Sequence, residues 1–574
     1  MTQSKQAIDP FYQFFQRISP ENAEKALPFL YAVLDAWDNG HSFIELNDDG
    51  QQLARQCEPL IAATPDLHSP LLLQGNRLFL HKIYALEQRC AARLTHLSQD
   101  TATPSQFMAE LLDSYFDCQH HDPNIAESNR QQQLAAALAL INRFLLISGG
   151  PGTGKTTTVA KIVALLCHQA KDLPRIALTA PTGKAAAHLQ QSLLRSLNNI
   201  HFRQPEIKQH LLQLTGQTIH RLLDIRPPLL EAKYNQNNKL PYDIVIVDES
   251  SMIDLSLMDK LLNAIGEKTR LILLGDKNQL PSVGAGAVLA QISLPCELSI
   301  EKNNALKTIL PKHTIQENPQ AKALSSCMAY LNISRRFDEN SGIGQLSSTI
   351  LNQQTENAIE CFTKYPDELL FKQHKSNDIF EQYFNYQKDY WQAIQEQNIQ
   401  QAFNCFYNQM VLCVLRYDTE QFNQQYLKFL SKKGYKNQLF NGKALLITQN
   451  NPVLDIYNGD IGIVMNGKVH FPSHNGEIKA IDYARLGVVE NAFAITVHKS
   501  QGSEYNHIIF IAPQLQKNNQ EEQNIDKIFD RSLFYTAVTR AKKQFMYIGH
   551  QDELKQAIGR LSQRRSALRD FLSL

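Results

Sequence analysis

The sequence of 574 residues lacks the features that place a chain in a membrane or outside the cell. No apolar run approaches the ~18 residues that a bilayer-spanning helix needs. The amino terminus has no charged segment followed by an apolar one, so no signal peptide is expected. The nine cysteines are scattered and form no C-x-x-C pair, which favours reduced thiols and argues against a structural zinc site. Together these absences predict a cytoplasmic protein.

The chain also has almost no net charge. Lys and Arg number 57 against 56 Asp and Glu, and the net charge is +1. No global basic field would attract nucleic acid, so any nucleic-acid surface must be a local groove. The hydrophobic content of 43% and the charged content of 20% are those of an ordinary globular protein. The chain is too long for one core and must form several domains.

The chain changes character after its first hundred or so residues. Residues 1–118 carry helical patterns and a short hairpin signal but no cluster of titratable side chains, which predicts a docking or structural domain. A linker is expected near 118–129, and from Gln131 onward helical segments separate apolar runs of strand length. These runs lie at 145–147, 176–180, 244–247 and 271–274, and later at 444–447, 508–511 and 545–548. The alternation predicts an α/β fold with two parallel sheets and a cleft between them.

The clearest chemical signal is the stretch GGPGTGKTTT at 149–158, which lies between an apolar run of strand length and a helical pattern. Its glycines allow the backbone N–H groups to point inward around a phosphate, and the following helix adds its positive end. Lys155 can reach the β- and γ-phosphates, and the Thr156 hydroxyl can bind Mg²⁺. The predicted nucleotide-binding residues of this loop are Gly149, Gly150, Pro151, Gly152, Thr153, Gly154, Lys155, Thr156 and Thr157.

Two further strand patterns end in polar side chains. The run 242–249 ends in Asp248 and Glu249, which suit a magnesium contact and a base for the attacking water. The run 271–279 ends in Gln279, which could contact the γ-phosphate and report its presence to bound DNA. Asp248, with Thr156, completes the predicted metal site.

Eight motifs in this order resemble those of superfamily 1 helicases. They are 149–156 (motif I), 179–186 (Ia), 218–223 (the next DNA-contact motif), 247–252 (II), 275–283 (III), 334–337 (IV), 496–504 (V) and 535–541 (VI). Within the superfamily, the runs 494–504 and 458–462 resemble RecD, the α-subunit family of exodeoxyribonuclease V (RecBCD). The stretches 40–46 and 75–80 are similar to the short N-terminal domain of that family.

The resemblance implies an arrangement of domains. It implies two RecA-like motor domains, 1A over 119–325 and 2A over 326–574, preceded by a partner-docking domain over 1–118. It also implies a small SH3-like barrel inserted in 2A near 444–492. Residues 224–240 could form the hairpin that splits duplex in related enzymes, although Pro227 and Pro228 make a regular strand there improbable.

The resemblance also assigns roles to single residues. Gln132 matches the glutamine that reads adenine, although the register within three consecutive glutamines is open. Arg336 and Arg540 match the arginines that reach across the cleft, and Gly502 and Glu504 match positions near the phosphate and ribose. The residues that match the lining of the single-strand groove are Thr182, Lys184, Thr218, His220, Thr496 and His498; either histidine could instead be a core residue.

The function implied is an ATP-dependent 5′–3′ DNA helicase that uses Mg²⁺ and acts on single strands and duplex ends. The resemblance implies a heterotrimer with RecB-like and RecC-like subunits, acting in double-strand break repair and in degradation of linear duplex DNA. Nuclease activity is expected on a partner, because the one PD…(D/E)xK candidate has Leu370 at its acidic position. A stand-alone RecD-like helicase and a nucleotide-binding structural subunit stay open, whereas a kinase or simple NTP switch would leave motifs III to VI unexplained.

Overall fold

The computed structural model describes residues 9–65, 69–226, 231–336, 341–373, 379–451, 453–472, 477–513, 528–561 and 564–573. Phe337 of motif IV and residues 227–230 of the predicted hairpin lie outside these ranges. The described parts of that hairpin, 224–226 and 231–240, contain no strand. Among the described residues, no helix combines the length and apolar character needed to cross a bilayer.

The N-terminal domain is a small sheet with three helices. The helices are Pro10–Ile18, Ala23–Asp38 and Asp48–Arg55, and the strands are β1 (Phe43–Glu45), β2 (Ile61–Ala62), β3 (Leu71–Gln74) and β4 (Arg77–Leu80). The sheet order is β1-β4-β3-β2, with β2 and β3 parallel and the other pairs antiparallel. Asp9 caps the first helix and Asn47 caps the third, as expected of such residues before helical segments.

The first motor domain contains a six-stranded, wholly parallel sheet of order β10-β5-β9-β8-β6-β7. Its strands are β5 (Phe144–Gly149), β6 (Ile176–Ala180), β7 (Gly216–Thr218), β8 (Ile244–Val247), β9 (Arg270–Gly275) and β10 (Met328–Leu331). Its helices are His81–Gln99, Gln106–Tyr115, Pro123–Ile141, Lys155–Gln169, Gly183–Asn198, Pro205–Leu212, Ile219–Leu222, Leu255–Ala264, Val288–Ile292 and Ile300–Lys307. Because helices cover both faces, the central strands β5 and β8 are buried along their whole length.

The second motor domain contains a five-stranded parallel sheet of order β11-β20-β19-β12-β18. Its strands are β11 (Leu369–Lys372), β12 (Gln409–Cys413), β18 (Ala494–Thr496), β19 (Tyr505–Ile511) and β20 (Ala541–Ile548). Its helices are Gly342–Leu351, Thr355–Lys364, Ile379–Tyr386, Lys388–Gln395, Ile399–Phe406, Arg416–Lys432, Arg531–Thr539 and Gln551–Gly559. The predicted α/β class with two parallel sheets is therefore confirmed.

An antiparallel sheet is inserted in the second motor domain, close to the predicted 444–492. Its order is β16-β15-β14-β13-β17, from the strands β13 (Ala444–Ile447), β14 (Ile461–Met465), β15 (Lys468–Pro472), β16 (Ile478–Asp482) and β17 (Val489–Asn491). It encloses a core of its own that includes Val464, Val469 and Phe471. Its resemblance to an SH3 barrel stays a prediction.

Two predicted domain boundaries are wrong. β10 pairs in parallel with the phosphate-loop strand β5, so the first motor domain extends at least to Leu331 and does not end at 325. The helices His81–Gln99 and Gln106–Tyr115 pack into the two cores of the first motor, so the separate N-terminal unit ends near residue 80 and not at 118. The apolar faces of both helices need a large sheet to cover them, and the small N-terminal sheet cannot provide it.

The C-terminal helix, Leu568–Ser573, also returns to the first motor. Leu568 and Leu572 join its core beside the helix His81–Gln99. The buried carboxylate of Glu87 accepts hydrogen bonds from the Ser566 hydroxyl (2.5 Å) and the Ala567 N–H (3.2 Å). The chain therefore connects the motors twice, once after β10 and once through residues 564–573.

Candidate nucleotide and DNA site

The phosphate loop leaves β5 and enters the helix Lys155–Gln169, as the sequence predicts. Gly152 and Gly154 have φ of 78° and 86°, where L side chains are strained. A Cβ on Gly152 would lie 2.3 Å from the Arg336 Cβ, and one on Gly154 would lie 2.4 Å from the Gln132 Nε2. Gly152 is thus required by conformation and by close approach, and Gly154 by conformation.

Lys155 points back over this loop. Its Nζ donates to the carbonyl oxygens of Gly149 (2.6 Å) and Gly150 (3.1 Å), which places the cation where phosphates would be cradled. Thr153 closes the turn through a hydrogen bond from its hydroxyl to Gly150 O (2.9 Å). The Thr157 hydroxyl lies 3.3 Å from the Ser196 hydroxyl, so this side chain joins the helix Lys155–Gln169 to the helix Gly183–Asn198.

Gln132 is the glutamine that contacts the phosphate loop. Its buried amide donates to Thr153 O (3.2 Å). Gln131 instead accepts a hydrogen bond from the Asn332 N–H, and Gln133 donates to Asp113. The helical spacing of Pro123–Ile141 separates the three amides, and this geometry favours the predicted register.

The acidic side chains lie at the carboxyl ends of neighbouring strands. Asp248 follows β8 and is buried, and Glu249 has a strained φ of 50° that turns the chain sharply at this point. Burial and the charge of Glu249 raise the pKa of Asp248, and the nearby Lys155 ammonium opposes this shift. A buried carboxylate in this state gains from an added cation.

Asp276 and Tyr535 belong to this cluster, although the sequence reasoning quoted them within motifs without giving them roles. Asp276 ends β9 and accepts a hydrogen bond from the Tyr535 hydroxyl (3.1 Å) across the two motors. That hydroxyl lies 3.0 Å from where a Gly150 Cβ would be. Burial raises the pKa of Asp276, and the Lys155 charge opposes it. The sequence contained a signal for Asp276, because this residue follows an apolar strand run and the carboxyl ends of parallel strands meet at one edge of the sheet.

Arg540 and Gln279 join the motors. The buried guanidinium of Arg540 donates to Gln279 Oε1 (2.7 Å) and to Ser503 O (3.1 Å). The predicted γ-phosphate reporter and one predicted arginine finger are thus direct partners. Because both are buried, neither side chain is an ordinary surface residue.

Arg336 pairs with Glu504, the predicted ribose residue. The Nη2–Oε1 distance is 2.6 Å, and Lys542 lies 3.1 Å from the other carboxylate oxygen. Burial alone would raise the pKa of Glu504, but the charges of Arg336 and Lys542 lower it to about 2. Gly502 lies against Ala185 of the first motor, and its φ is 71°.

The predicted DNA-contact threonines all hold local structure. Thr182 and Thr218 cap the helices that follow them, accepting hydrogen bonds from the N–H groups of Ala185 and Arg221, each at 3.2 Å. Thr496 accepts a hydrogen bond from the Lys499 N–H (3.4 Å). These hydrogen bonds fix the backbone turns. Contact of the three threonines with DNA stays a prediction.

Lys184 and the two histidines have different surroundings. The Lys184 Nζ lies 5.0 Å from the centre of the Tyr407 ring, beside a cavity of about 330 Å³ between both motors and the inserted sheet. Loss of water lowers the pKa of Lys184 to about 8. His220 is exposed, whereas His498 is half-buried, and burial together with the charge of Arg564 lowers the pKa of His498.

The chain is similar to several known proteins. The AAA domain family matches residues 132–285, and the UvrD-like helicase C-terminal domain family matches 491–546. The RecBCD enzyme subunit RecD of Buchnera aphidicola (Schizaphis graminum) is 32% identical over 504 residues, covering 83% of this chain and 80% of the relative. That of Haemophilus influenzae is 32% identical over 541 residues, covering 88% and 81%. Bacteroides Pif1 bound to ssDNA is 17% identical, with a TM-score of 0.39 over 73% of this chain and 91% of that one.

Proposed function

Since this chain belongs to the RecD family of RecBCD enzyme subunits, we propose that ATP hydrolysis between its two motors drives movement along single-stranded DNA. It is an ATP-dependent DNA helicase of superfamily 1 and uses a nucleotide. The observation that carries the mechanism is the hydrogen bond from Arg540 to Gln279, which joins groups of both motors beside the phosphate loop.

Each residue at the phosphate loop has a proposed role. Gln132 contacts adenine, Lys155 holds the β- and γ-phosphates, and the inward N–H groups of the loop bind their oxygens. Thr156 and Asp248 would hold Mg²⁺, and the raised pKa of the buried Asp248 carboxyl fits a site completed by a cation. When bound, Mg²⁺ neutralises phosphate charge and orients the transferring group.

The hydrolytic step uses side chains of both motors. Glu249 orients the attacking water and accepts its proton, since it follows the buried Asp248 at the strand end. Arg540 and Arg336 stabilise the negative charge that builds on the γ-phosphoryl oxygens. An arginine in this position contributes about 10³- to 10⁵-fold in turnover. Loss of the γ-phosphate would release Gln279 and Arg540 to rearrange, so the cleft responds to each cycle.

Movement of the strand follows from the position of its contacts on both motors. Thr182, Thr218 and His220 lie on the first motor, and Thr496 and His498 lie on the second. A change in the cleft would shift one set relative to the other. We propose travel from 5′ to 3′ and action at duplex ends in double-strand break repair, with cleavage supplied by a partner subunit.

Single-strand-stimulated ATPase activity tests this function. The helicase should hydrolyse ATP faster with a dT oligomer than without DNA, and should unwind a duplex with a 5′ overhang. A subunit that only binds nucleotide would show ATP binding without stimulated turnover. That outcome would favour the structural alternative.

The N-terminal domain fits a protein partner better than DNA. Residues 1–80 contain ten acidic residues against five basic ones, which disfavours a phosphate backbone. Its helices expose Phe11, Phe14 and Tyr31, and Phe14 is 51% exposed. Aromatic side chains of this kind are common anchors of protein interfaces. We propose that this face docks onto a RecB-like or RecC-like subunit with a basic surface.

Deleting residues 1–110 would be a poor test of docking, because it would also remove the helix His81–Gln99. That helix contributes Ile83, Leu86 and Cys90 to the first motor core, so the deletion should abolish folding and ATPase activity together. A substitution on the exposed face tests docking without this loss.

Phe14→Glu should retain DNA-stimulated ATPase activity but weaken association with the RecB-like and RecC-like subunits by about 5- to 30-fold, as expected for loss of an anchor of about 1–2 kcal/mol. Tyr417→Glu, at an exposed aromatic of the second motor, is the matched control and should assemble normally. Full assembly of Phe14→Glu would contradict docking through this face and would favour a stand-alone helicase or another interface.

A further inference from the structure

The segment 332–335 follows β10 and begins the connection from the first motor to the second. Its backbone lies along the phosphate loop. The Arg335 N–H donates to Gly152 O (2.9 Å), and the Ser334 hydroxyl donates to Pro151 O (3.0 Å). The chain that leaves the first motor is therefore hydrogen-bonded to the loop that would hold the nucleotide.

The helix Pro123–Ile141 also holds this segment. The Arg335 guanidinium donates from Nε to the Ser128 hydroxyl (3.0 Å) and from Nη2 to Asn129 Oδ1 (2.5 Å). Ser128 and Asn129 are buried, whereas Arg335 is exposed, so the arginine reaches from the surface to two fixed acceptors. Because the guanidinium is planar and rigid, two hydrogen bonds define its orientation better than one would.

Arg336 directly follows the anchored segment. Its N–H donates to the Ser334 hydroxyl (3.2 Å), and its Cβ lies so close to the phosphate loop that a Cβ on Gly152 would be 2.3 Å away. Its guanidinium pairs with Glu504 of the second motor. The backbone of this proposed arginine finger is thus fixed on the first motor, while its side chain extends to the second.

The helix that holds the segment also carries Gln132, the proposed adenine contact. Gln132 follows Asn129 by three residues, and residues at this spacing are neighbours on a helix surface. Gln131 accepts a hydrogen bond from the Asn332 N–H (2.9 Å) at the start of the segment. The helix that would contact the base therefore holds both ends of the segment that leads to the finger.

We propose that Arg335 is a positioning residue for hydrolysis, whose two hydrogen bonds to the helix keep the backbone of Arg336 where the finger can reach the γ-phosphate. Arg335 acts through Arg336 and not on the phosphate itself. A displacement of about 1 Å in such a group can lower the rate by about 10²-fold, because stabilisation of transition-state charge depends on geometry. The inference rests on the proposed function, since it presupposes hydrolysis assisted by Arg336.

Steady-state ATPase assays of the full chain with a dT oligomer, beside nucleotide titration, test this role. Arg335→Ala should lower kcat by about 10- to 100-fold and change nucleotide affinity far less, because the phosphate loop keeps its own residues. Arg335→Lys keeps the cation but can form only one of the two hydrogen bonds, so its kcat should lie between those of Arg335→Ala and wild type. Arg130→Ala, at an exposed arginine of the same helix, is the matched control and should leave both quantities unchanged.

A double variant separates positioning from an independent contribution. If Arg335 acts through Arg336, adding Arg335→Ala to Arg336→Ala should lower kcat no further. Losses that multiply in the double variant, a wild-type kcat in Arg335→Ala, or a fall in affinity that matches the fall in kcat would overturn the inference. Each of these results is compatible with a DNA-stimulated ATPase in wild type. Absence of that activity in wild type would overturn the proposed function, and the inference with it.

Discussion

The nucleotide face and the DNA face of this chain are built differently. At the nucleotide face, side chains distant in sequence contact one another directly, as Arg540 does Gln279 and Tyr535 does Asp276. At the DNA face, the threonines bond to their own turns, and the histidine side chains are exposed or half-buried. A ligand of one shape favours a preorganised site, whereas a polymer of any sequence needs only a track of separate contacts.

The largest effect should come from Lys155, because its ammonium group lies at the carbonyl oxygens of the phosphate loop. Lys155→Gln removes the charge over the loop carbonyls and should abolish both DNA-stimulated ATP turnover and unwinding. The far-UV spectrum should be unchanged, since the side chain supports no core contact. Near wild-type turnover of Lys155→Gln would contradict the motor mechanism.

A large effect is also expected from the two arginines. Arg540→Ala and Arg336→Ala should each lower kcat by about 10³-fold while changing nucleotide affinity far less, because transition-state charge is their target. Nucleotide titration beside steady-state kinetics separates the two quantities. Arg416→Ala, at an exposed arginine of the second motor, should leave both unchanged. Affinity falling in proportion while kcat holds would make these arginines ground-state binding residues only.

A moderate effect should follow from Tyr535→Phe, which removes one hydrogen bond to a buried carboxylate. Because such a bond contributes about 1.5–3 kcal/mol, turnover should fall by about 10- to 150-fold. Its loss should also raise the pKa of Asp276 further, since that bond lowers it. As the pH falls, the variant should therefore begin to lose turnover at a higher pH than wild type does. Tyr547→Phe, at another buried tyrosine of this motor, is the control, and equal turnover of the two variants would argue against a role for Tyr535.

The two faces also differ in how far sequence predicts them. The phosphate loop and the acid pair follow from residues adjacent in the chain, and in the structure they lie at the carboxyl ends of β5 and β8. The register of Gln132 and the Tyr535–Asp276 bond depend on how distant segments dock, which no local pattern specifies. The same holds for β10 and the helix His81–Gln99. Their assignment to the first motor requires knowing which sheet β10 joins and which sheet the helix packs against. Local sequence patterns therefore predict the catalytic residues, whereas the domain boundaries depend on parallel strand pairing and helix packing.

The smallest effect is expected at the DNA face, from the charge state of His498. Burial and the charge of Arg564 lower the pKa of this imidazole below its ordinary value, so the ring is neutral at pH 7.5 and gains a proton only as the pH falls past that lowered value. Protonation adds a cation beside the track, so single-strand affinity should rise on acidification, and wild type should gain about twofold more than His498→Gln between pH 7.5 and 5.5. The same lowered pKa means that His498 contributes stability at higher pH that is lost as the pH falls, so the titration must stay where the fold is intact by far-UV spectrum. His220→Gln gives the comparison on the first motor, where the side chain is exposed. Identical pH profiles for wild type and His498→Gln would place His498 off the track, and a loss at pH 7.5 as large as that of an arginine variant would mean that the DNA face is as preorganised as the nucleotide face.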